Sequence, residues 1–344
     1  MEQIGIAVIG CGYWGWNYVR VFSELLDSRV VAVCDRRTDR LERVKRRFPG
    51  VELTTSVKAT LALNEVDAVV VCTEATSHYQ IVTDCLAAGR HVLVEKPMTT
   101  SVSAAEELIR RASARGVTLM VGHTFLYNAG VKKVKEYIAR GDVGRVYYLY
   151  ARRTNLGPIR DDVNALWDLA PHDVSIFNYL MDGGPHWVCA VGARVLGNGR
   201  EDVGFVSLGY RDGIIGHVHV SWADPHKVRE VVVVGSDKRI VFNDLDAQGM
   251  VRVFEKGVKP IEPDANGFGK HQLLIRDGDI IIPKLEVSEP LKNQSSHFLD
   301  CVSQGRRPLT DGANGLEVVR VMEAVDRSIR LGGSPVEVAQ ERAS

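Results

Sequence analysis

The sequence has no excess of charge of either sign and no long hydrophobic run. Its 344 residues include 43 Lys and Arg and 43 Asp and Glu, so the formal net charge is zero. Sequence-independent binding to nucleic acid needs a basic surface, and this balance argues against that class of protein. No apolar stretch approaches the ~20 residues that span a bilayer. We therefore expect neither nucleic acid nor a membrane as a partner.

The sequence also lacks paired cysteines. Its six cysteines are scattered, and none forms a Cys-x-x-Cys pair. Most lie in apolar segments, where free cysteine behaves as a small hydrophobic residue, so we expect a reducing compartment and a cytoplasmic protein. The first apolar stretch has no basic flank and ends in glycines, and we interpret it as a strand rather than a signal peptide.

Two different patterns of predicted secondary structure divide the chain. Up to residue 122, short apolar strands alternate with helices, which predicts a parallel sheet covered on both faces. One of these helices is expected over residues 38–47, and another is expected to open with a capping box at Ser103 and Glu106. Farther along, strands follow one another with few helices between them, and Arg211-Asp-Gly213 marks a hairpin turn.

This change predicts two domains, α/β followed by α+β. A Rossmann domain is expected over residues 1–124. Residues 125–344 are expected to form a largely antiparallel sheet packed on helices at 165–181, 291–304 and 315–331, a domain that binds substrate and mediates oligomerisation. No low-complexity tract or repeat interrupts either part.

A glycine turn near the N-terminus has the arrangement of a dinucleotide site. Gly10 permits a tight turn, Gly12 lets the backbone approach a pyrophosphate, and Gly15 lets the following helix pack closely on the strand. The pyrophosphate would lie at the positive end of that helix. Asp35 ends the next strand about twenty residues later, where an acid binds a ribose hydroxyl. The alternative is a doubly wound domain with an empty site.

The residues beside Asp35 bear on the choice of cofactor. Arg36 and Arg37 follow it directly, and an arginine in this place can receive the 2′-phosphate of NADP. Asp35 would repel that phosphate. The sequence therefore favours NAD over NADP.

Two further clusters could carry chemistry. Lys96, in Glu95-Lys96-Pro97, follows a Rossmann strand at the ligand-facing edge, where an ammonium could stabilise a developing alkoxide. The alternative is a surface lysine on a loop. Asp168 and His172 are four residues apart and share a face if they lie on a helix, and such a histidine could move a proton. The alternative there is a helix cap and a partly buried histidine.

The glycine turn, Glu95-Lys96-Pro97 and Asp168-x-x-x-His172, in this order, resemble the glucose–fructose oxidoreductase/inositol dehydrogenase (Gfo/Idh/MocA) family. The segment 311–324 looks like that family's closing helix, so the likeness covers nearly the whole chain. The resemblance implies an NAD(P)-dependent oxidoreductase acting on a hydroxyl of a sugar or polyol. It makes Lys96 and His172 the catalytic pair, supported by Asp168. Further implied cofactor contacts are Tyr13, Trp14, Thr73, Thr76, His78 and Glu95.

Some motifs resemble a subgroup, the nucleotide-sugar 3-dehydrogenases. These motifs are Gly12-Tyr-Trp-Gly-Trp-Asn17 and the segments 155–160 and 166–173. That likeness implies oxidation of a UDP-N-acetylhexosamine at its 3-hydroxyl. Two features depart from the family pattern. Ala170 stands for a glycine and Ser175 for an acid, and Gly122-His123 stands where many members carry an arginine slightly farther along. These departures bear on substrate contacts more than on redox chemistry.

Substrate contacts are expected around the catalytic motifs. Arg152, Arg153 and Arg160 could clamp a diphosphate, or they could be solvated arginines. Asn155 and Asn164 could bind sugar hydroxyls, or they could be turn residues. The expected substrate-binding residues are His123, Tyr127, Asn128, Arg152, Asn155, Arg160, Asn164 and Trp167.

His217 and His219 alternate on a strand and so share one face. No third ligand is evident, so we expect no metal and favour packing of this face on another subunit, in a homodimer or homotetramer. Two rival functions stay open. One is an inositol or free-sugar dehydrogenase, and the other is a non-catalytic NAD sensor, which would have no need for a positioned base.

Overall fold

The computed structural model describes residues 3–260 and 273–339, and these form two compact units. One unit comprises Met1–Tyr127 and Ser288–Glu323, and the other comprises Asn128–Val287 and Ala324–Ser344. Among the described residues, no helix is both long and apolar enough to cross a bilayer.

The N-terminal part alternates strands and helices, as predicted. In chain order its elements are β1 (Ile4–Ile9), α1 (Tyr13–Glu24), β2 (Ser28–Cys34), α2 (Thr38–Arg47), β3 (Glu52–Thr54), α3 (Val57–Leu61), β4 (Ala68–Val71), α4 (Ala75–Ala87), β5 (His91–Val94), α5 (Val102–Arg115), β6 (Leu119–Val121) and a 3₁₀ turn (Thr124–Tyr127).

The remaining described residues are richer in strands. Their elements are α6 (Ala129–Ala139), β7 (Val146–Leu156), α7 (Ala165–Met181), β8 (Trp187–Ala193), β9 (Val203–Gly209), β10 (Ile215–Ser221), β11 (Ala223–Gly235), β12 (Arg239–Asn243), β13 (Val251–Phe254), β14 (Gly257–Pro260), β15 (Leu273–Arg276), β16 (Ile280–Ile281), α8 (Pro290–Gln304), α9 (Gly312–Arg330) and β17 (Val336–Glu337).

The first unit is built on a six-stranded parallel sheet in the order β3-β2-β1-β4-β5-β6. Its central strands are continuous apolar runs, as expected for strands buried on both faces. The strand order reverses between β1 and β4, and ligands of such sheets bind beyond the carboxyl ends at this switch point. The predicted Rossmann fold is therefore confirmed.

A distant segment completes this unit. The Val121 amide of β6 donates to the Thr310 carbonyl (2.7 Å), and the Thr310 hydroxyl donates to the Val121 carbonyl (2.8 Å). Leu316 of α9 belongs to the same apolar core as β1 and β4. Residues 288–323, which the sequence analysis assigned to the second domain, thus fold with the first, because these contacts join segments nearly two hundred residues apart.

The start of α5 differs from the prediction. Its N-cap is Ser101, whose hydroxyl accepts a hydrogen bond from the Ala104 amide (3.3 Å). The predicted cap at Ser103 was wrong by two residues, because Ser103 already lies inside the first helical turn. The helix ends at Gly116, which adopts φ +63.

The second unit is built on a nine-stranded sheet in the order β16-β13-β12-β11-β7-β10-β9-β8-β17. Among its described strands, only β7 and β10 pair in parallel, which confirms a largely antiparallel sheet. The predicted turn at Arg211–Gly213 joins β9 to β10, with Asp212 at φ +57.

Strand register gives this sheet two different faces. On one face, Val206 and Val218 are paired neighbours on β9 and β10, and both are buried. The adjacent register pair, Phe205 on β9 and His219 on β10, lies on the other face, and Phe205 is 42% exposed. Helix α7 packs on the sheet, where it contacts β7, β9 and β10. The Phe205 face is the open one.

Candidate functional site

The glycine turn between β1 and α1 depends on two glycines for its shape. Gly10 adopts φ +88, a left-handed conformation that side chains disfavour. A Cβ at Gly15 would lie 1.9 Å from the Gly10 carbonyl oxygen. The turn and the first turn of α1 are therefore in direct contact, as the sequence predicted.

Gly12 differs, because the space in front of it is open. A Cβ there would have Arg40 Nη1 as its nearest neighbour, at 3.7 Å. Gly12 is the N-cap of α1, it supplies no side-chain cap, and the first turn of the helix has no acidic residue. An open, uncapped helix N-terminus has the room and the field for a pyrophosphate. The residues therefore fit a dinucleotide.

This contrast predicts different outcomes for two alanine substitutions. We expect Gly15→Ala to lower the free energy of unfolding by several kcal/mol, since backbone atoms must move. Gly12→Ala should leave stability within about 0.5 kcal/mol and weaken NAD binding about tenfold or more, because its methyl group occupies the pyrophosphate space. Urea denaturation and NAD titration measure both, and equal NAD affinity of Gly12→Ala and the parent would contradict the assignment.

Asp35 holds the end of β2 to the glycine turn. Its carboxylate accepts hydrogen bonds from the amides of Cys11 (2.6 Å) and Arg37 (2.8 Å) and pairs with Arg40 (3.1 Å). A carboxylate has about four acceptor positions, so Asp35 retains capacity for a ribose hydroxyl. Arg36 is exposed beside it.

Two aromatic side chains lie in the first turn of α1. Tyr13 is 78% exposed and Trp14 is 41% exposed, and their rings meet edge to face with centroids 5.4 Å apart. Their contact with a cofactor stays a prediction.

The loop after β4 is braced by His78. Its Nδ1 lies 2.8 Å from the Pro97 carbonyl and its Nε2 lies 3.1 Å from the Thr73 carbonyl. His78 thus connects the loop after β4 to the loop after β5 that carries Lys96. Thr76 is exposed at the start of α4. The structure places Thr73 and Thr76 at the ligand-facing edge and gives His78 a bracing role there.

Lys96 follows β5 and is buried, with only 6% of its surface exposed. Its amide donates to Glu95 Oε2 (3.2 Å), and the other carboxylate oxygen of Glu95 accepts from the Tyr18 hydroxyl (2.8 Å). The sequence alone left a surface lysine open as the alternative. Burial excludes that alternative, since an ammonium is rarely withdrawn from water without a specific role or partner.

His123 follows β6 at the same edge of the sheet. Its ring is buried, and neither ring nitrogen has a hydrogen-bond partner among the described residues. Burial and the charge of Lys96 lower the pKa of His123 to about 3, so the ring is neutral at physiological pH. An unsatisfied buried polar group costs ~1–3 kcal/mol, which makes His123 a candidate to contact a ligand.

This environment predicts that His123→Phe raises stability. The phenyl ring keeps the packing and removes two unsatisfied polar atoms. The pKa of His123 in the folded protein lies below its ordinary value of 6.5, so between pH 6.5 and 3 the unfolded chain binds a proton that the folded protein does not. The parent protein therefore loses stability as pH falls from about 6.5 toward 3. In thermal melts over this pH range, the melting temperature of His123→Phe should fall less than that of the parent.

His91→Phe is the matched control. His91 Nδ1 accepts a hydrogen bond from the Thr118 amide (3.0 Å), so its replacement leaves a donor unpaired and should lower stability. If His123→Phe were destabilised as much as His91→Phe, then His123 would have a partner in the folded protein.

In the second unit, α7 spans the predicted residues and carries Asp168 and His172 on one face. The Asp168 carboxylate accepts from Arg160 (3.2 Å) and from the Trp222 indole nitrogen (3.2 Å). Burial opposes the charge of Arg160, but its hydrogen bond with Asp162 and the charges of both aspartates raise its pKa. Asp168 is therefore held in place by two donors, and His172 lies one turn later.

The other predicted residues of α7 have structural partners. Asn164 is the N-cap, since its Oδ1 accepts from the Trp167 amide (3.0 Å), and its Nδ2 donates to Glu201 (3.0 Å). The Trp167 indole donates to Asp326 (2.9 Å). Their substrate contacts stay predictions, and the structure makes Asn164 the helix cap, a position that the sequence analysis had left open for Asp168.

Two of the arginines predicted to clamp a diphosphate lie on opposite faces of the sheet. Arg152 is exposed on the open face of β7, and Arg153 is buried on the other side. Arg153 makes two hydrogen bonds to Asp173 (2.7 and 2.9 Å), which occupies its guanidinium. Arg152, Arg153 and Arg160 therefore do not form one cluster, because adjacent strand residues point to opposite faces.

Three more predicted residues make contacts within their own unit. Tyr127 is buried, with its hydroxyl 3.3 Å from Thr310 Oγ1. Asn128 caps α6 by accepting from the Gly130 amide (2.8 Å) and donates to Asp244 (3.1 Å). The side-chain Nδ2 of Asn155 donates to the Gly157 carbonyl. Their roles toward a substrate stay predictions.

His217 and His219 lie on the open sheet face, as their alternation predicted. The ring of His219 stacks on Phe205, with centroids 4.4 Å apart. Within residues 3–260 and 273–339, no group of three His, Cys, Asp or Glu side chains is arranged to hold a metal ion.

Sequence reasoning missed two polar pairs in the interior, Tyr18 with Glu95 and Arg153 with Asp173. Glu95 was singled out only for its motif, and Asp173 not at all. A charged residue inside an apolar stretch is the signal that could have pointed to a buried pair, but the identity of its partner depends on tertiary structure.

Comparison with known proteins identifies the family. Residues 4–123 match the model described as the oxidoreductase family with an NAD-binding Rossmann fold, and residues 131–241 match the GFO/IDH/MocA C-terminal domain. Together the two models match about two thirds of the chain.

Two curated relatives are inositol dehydrogenases. The chain is 31% identical to inositol 2-dehydrogenase 1 of Mycolicibacterium vanbaalenii over 53% of its length, and that match spans only 54% of the relative. It is 25% identical to myo-inositol 2-dehydrogenase of Thermotoga maritima, over 94% of this chain and 96% of that protein.

Two solved structures share the whole fold. GenD2 from gentamicin A biosynthesis, in complex with NAD, matches with a TM-score of 0.83 and 27% identity, over 99% of this chain and 97% of that one. The UDP-N-acetylglucosamine 3-dehydrogenase GnnA from Acidithiobacillus ferrooxidans matches with a TM-score of 0.79 and 23% identity, over 96% and 99%, a likeness that shows the fold alone. The chain belongs to the Gfo/Idh/MocA oxidoreductase family, and its Rossmann unit is the family's NAD-binding domain.

Proposed function

We propose that this protein oxidises a secondary hydroxyl of a sugar or polyol with NAD. The observation that carries the proposal is the burial of Lys96 at the carboxyl edge of the Rossmann sheet. Lys96 follows β5, which pairs with β4. Strand β4 pairs in turn with β1, and the glycine turn follows β1. A buried ammonium at the same sheet edge as the NAD-binding turn suits a reaction in which an alkoxide develops.

Each residue has a defined role in the proposed reaction. Lys96 stabilises the negative charge that develops on the substrate oxygen, and His172 takes the hydroxyl proton as general base. Asp168, fixed by Arg160 and Trp222, orients the residues on its face of α7. When bound, NAD supplies the acceptor for the hydride. The assignment of Lys96 and His172 to one reaction rests on the family's motif order.

For the substrate, we propose a UDP-N-acetylhexosamine oxidised at its 3-hydroxyl. Support comes from the subgroup motifs around Trp14 and residues 155–160 and 166–173. Arg160 stays the proposed phosphate contact, whereas Arg152 lies on the open sheet face and Arg153 is paired with Asp173. The fold shared with a UDP-N-acetylglucosamine 3-dehydrogenase is compatible with this proposal.

A free polyol such as inositol is the second candidate. The two curated relatives named above favour it, since both are named for inositol oxidation. Neither candidate changes the proposed roles of Lys96 and His172, because both substrates present a secondary hydroxyl.

A substrate panel separates these candidates. The protein is incubated with NAD and, in parallel, with UDP-N-acetylhexosamines, free hexoses and inositols, and NADH absorbance is followed. NADH formation with UDP-sugars alone supports the nucleotide-sugar proposal, and formation with polyols alone overturns it. Tight NAD binding without NADH from any sugar would instead favour a non-catalytic sensor.

We also propose that the open face of the nine-stranded sheet packs on a second copy of the chain. Its rows bring together the exposed side chains of Tyr148, Ile215, Phe205 and Val191. Apolar residues in such rows favour an interface. A monomeric sedimentation coefficient at micromolar concentration would exclude it.

A further inference from the structure

A chain of buried hydrogen bonds connects two loops at the ligand-facing edge of the Rossmann sheet. The Thr124 hydroxyl donates to Gln294 Oε1 (2.7 Å), and Gln294 Nε2 donates to the Tyr18 oxygen (2.7 Å). The Tyr18 hydroxyl then donates to Glu95 Oε1 (2.8 Å). The series begins one residue after His123 and ends one residue before Lys96.

The direction of these bonds follows from the carboxylate. An ionised Glu95 only accepts, so the Tyr18 proton must point toward it. Tyr18 then has only lone pairs left for Gln294, which must present its NH₂ group to the tyrosine and its carbonyl oxygen to Thr124. The amide of Gln294 can do this because its donor and its acceptor are on separate atoms, and a protonated carboxyl group has the same property.

The centre of this series, Gln294 and Tyr18, is closed to water. Gln294 is fully buried, and so is Tyr18, whose pKa is raised well above its ordinary value by burial and by the charge of Glu95. The far oxygen of Glu95 accepts from the Lys96 amide (3.2 Å). Each member therefore fixes the next, and hydrogen bonds of this kind are strong when desolvated and costly to break.

We infer that Gln294 is a positioning residue for the reaction, because it ties the loop of Lys96 to the loop of His123. It comes from α8, about two hundred residues after the lysine, in a segment that the family motifs do not include. Gln294 acts through Tyr18 and Glu95 and touches no reacting atom. The inference rests on the proposed role of Lys96.

The variant Gln294→Glu tests this inference through its pH dependence. In its protonated form, the introduced carboxyl reproduces the amide, since its OH donates to Tyr18 and its carbonyl accepts from Thr124. The ionised form cannot donate, and it adds a second negative charge near Glu95. Burial and that charge raise the pKa of the introduced carboxyl above the ordinary value for glutamate.

The kcat of Gln294→Glu is expected to depend on pH more strongly than that of the parent protein. At low pH, Gln294→Glu should match the parent protein in kcat. As pH rises through the raised pKa of the introduced carboxyl, its kcat should fall about 10- to 100-fold relative to the parent. This is the scale of the effect expected when a catalytic group is slightly misplaced. The thermal midpoint of the ligand-free variant should fall in the same window, because a carboxyl that is protonated when folded loses its stabilising contribution as pH rises.

Two further variants keep the test decisive if Gln294→Glu does not fold at high pH. Tyr18→Phe removes the central hydroxyl, keeps the ring, and should lower kcat about tenfold or more at every pH. Ser295→Ala is the matched control on the same helix, because Ser295 is fully buried and its hydroxyl has no hydrogen-bond partner among the described residues. Ser295→Ala should keep the parent's kcat.

The outcomes separate this inference from the proposed function. If Gln294→Glu has the parent's pH profile and Tyr18→Phe the parent's kcat, while Lys96→Met is inactive, then only the positioning role is overturned. If Lys96→Met is fully active, the proposed function itself fails. A pH-dependent fall in Gln294→Glu kcat, absent from Ser295→Ala, supports Gln294 as the positioning residue.

Discussion

Replacing Lys96 with methionine is expected to lower kcat by about 10²- to 10³-fold, the usual effect of removing one group that stabilises a developing oxyanion. Methionine keeps most of the length and packing of this buried side chain, so the protein should fold. NAD should still bind, because the glycine turn and Asp35 are unchanged. The loss should therefore appear in turnover and not in cofactor affinity.

The measurement is steady-state NADH formation together with an NAD binding titration on the same preparation. Lys292→Met is the matched control, since Lys292 lies on α8 of the same unit, is about half exposed, and pairs with Glu24 at a distance of 4.0 Å. It should keep the parent's rate. A Lys96→Met protein with a near-normal rate would contradict the role of Lys96.

Replacing His172 with alanine is expected to lower kcat by about 10²- to 10⁴-fold, the range for loss of a general base. The pH profile should change as well. The activity of the parent should fall on the acid side as the base becomes protonated, and this limb should be absent from the residual activity of His172→Ala.

His226→Ala provides the control for this variant, because His226 is an exposed residue of β11 in the same unit. Its pH profile should equal that of the parent. If His172→Ala retained both the rate and the acid limb of the parent protein, another group would be the base.

The part of the fold that could be predicted is the part set by short-range pattern. The strands of the Rossmann sheet are apolar runs separated by amphipathic helices, and the predicted bounds of α2 and α7 agree with the structure to the residue. The glycine turn was predicted in detail because Gly10 and Gly15 answer local steric demands, as the 1.9 Å approach at Gly15 shows.

What escaped prediction depends on contacts between distant segments. Nothing in the pattern of residues 288–323 shows that Thr310 bonds to β6 or that Gln294 reaches Tyr18. Short strands such as β3 and β16 also escaped, since two or three residues carry too little periodicity.

The substrate residues were the hardest to predict, for a related reason. An asparagine that caps a helix and one that binds a sugar look alike in sequence, and Asn128 and Asn164 both act as caps. Arg152 and Arg153 look alike too, yet the pleat of β7 sends them to opposite faces. Lys96 shows the converse, because burial decided between two interpretations that the sequence left open.

In the proposed reaction, hydrogen passes directly from a carbon of the substrate to NAD. The most direct measurement uses a substrate from the panel that supports NADH formation, labelled with deuterium at the carbon bearing the reacting hydroxyl, with mass analysis of the NADH formed. We expect each NADH to carry one deuterium, and we expect Lys96→Met and His172→Ala to form little labelled NADH. Unlabelled NADH from a substrate labelled at every hydroxyl-bearing carbon would contradict the claim.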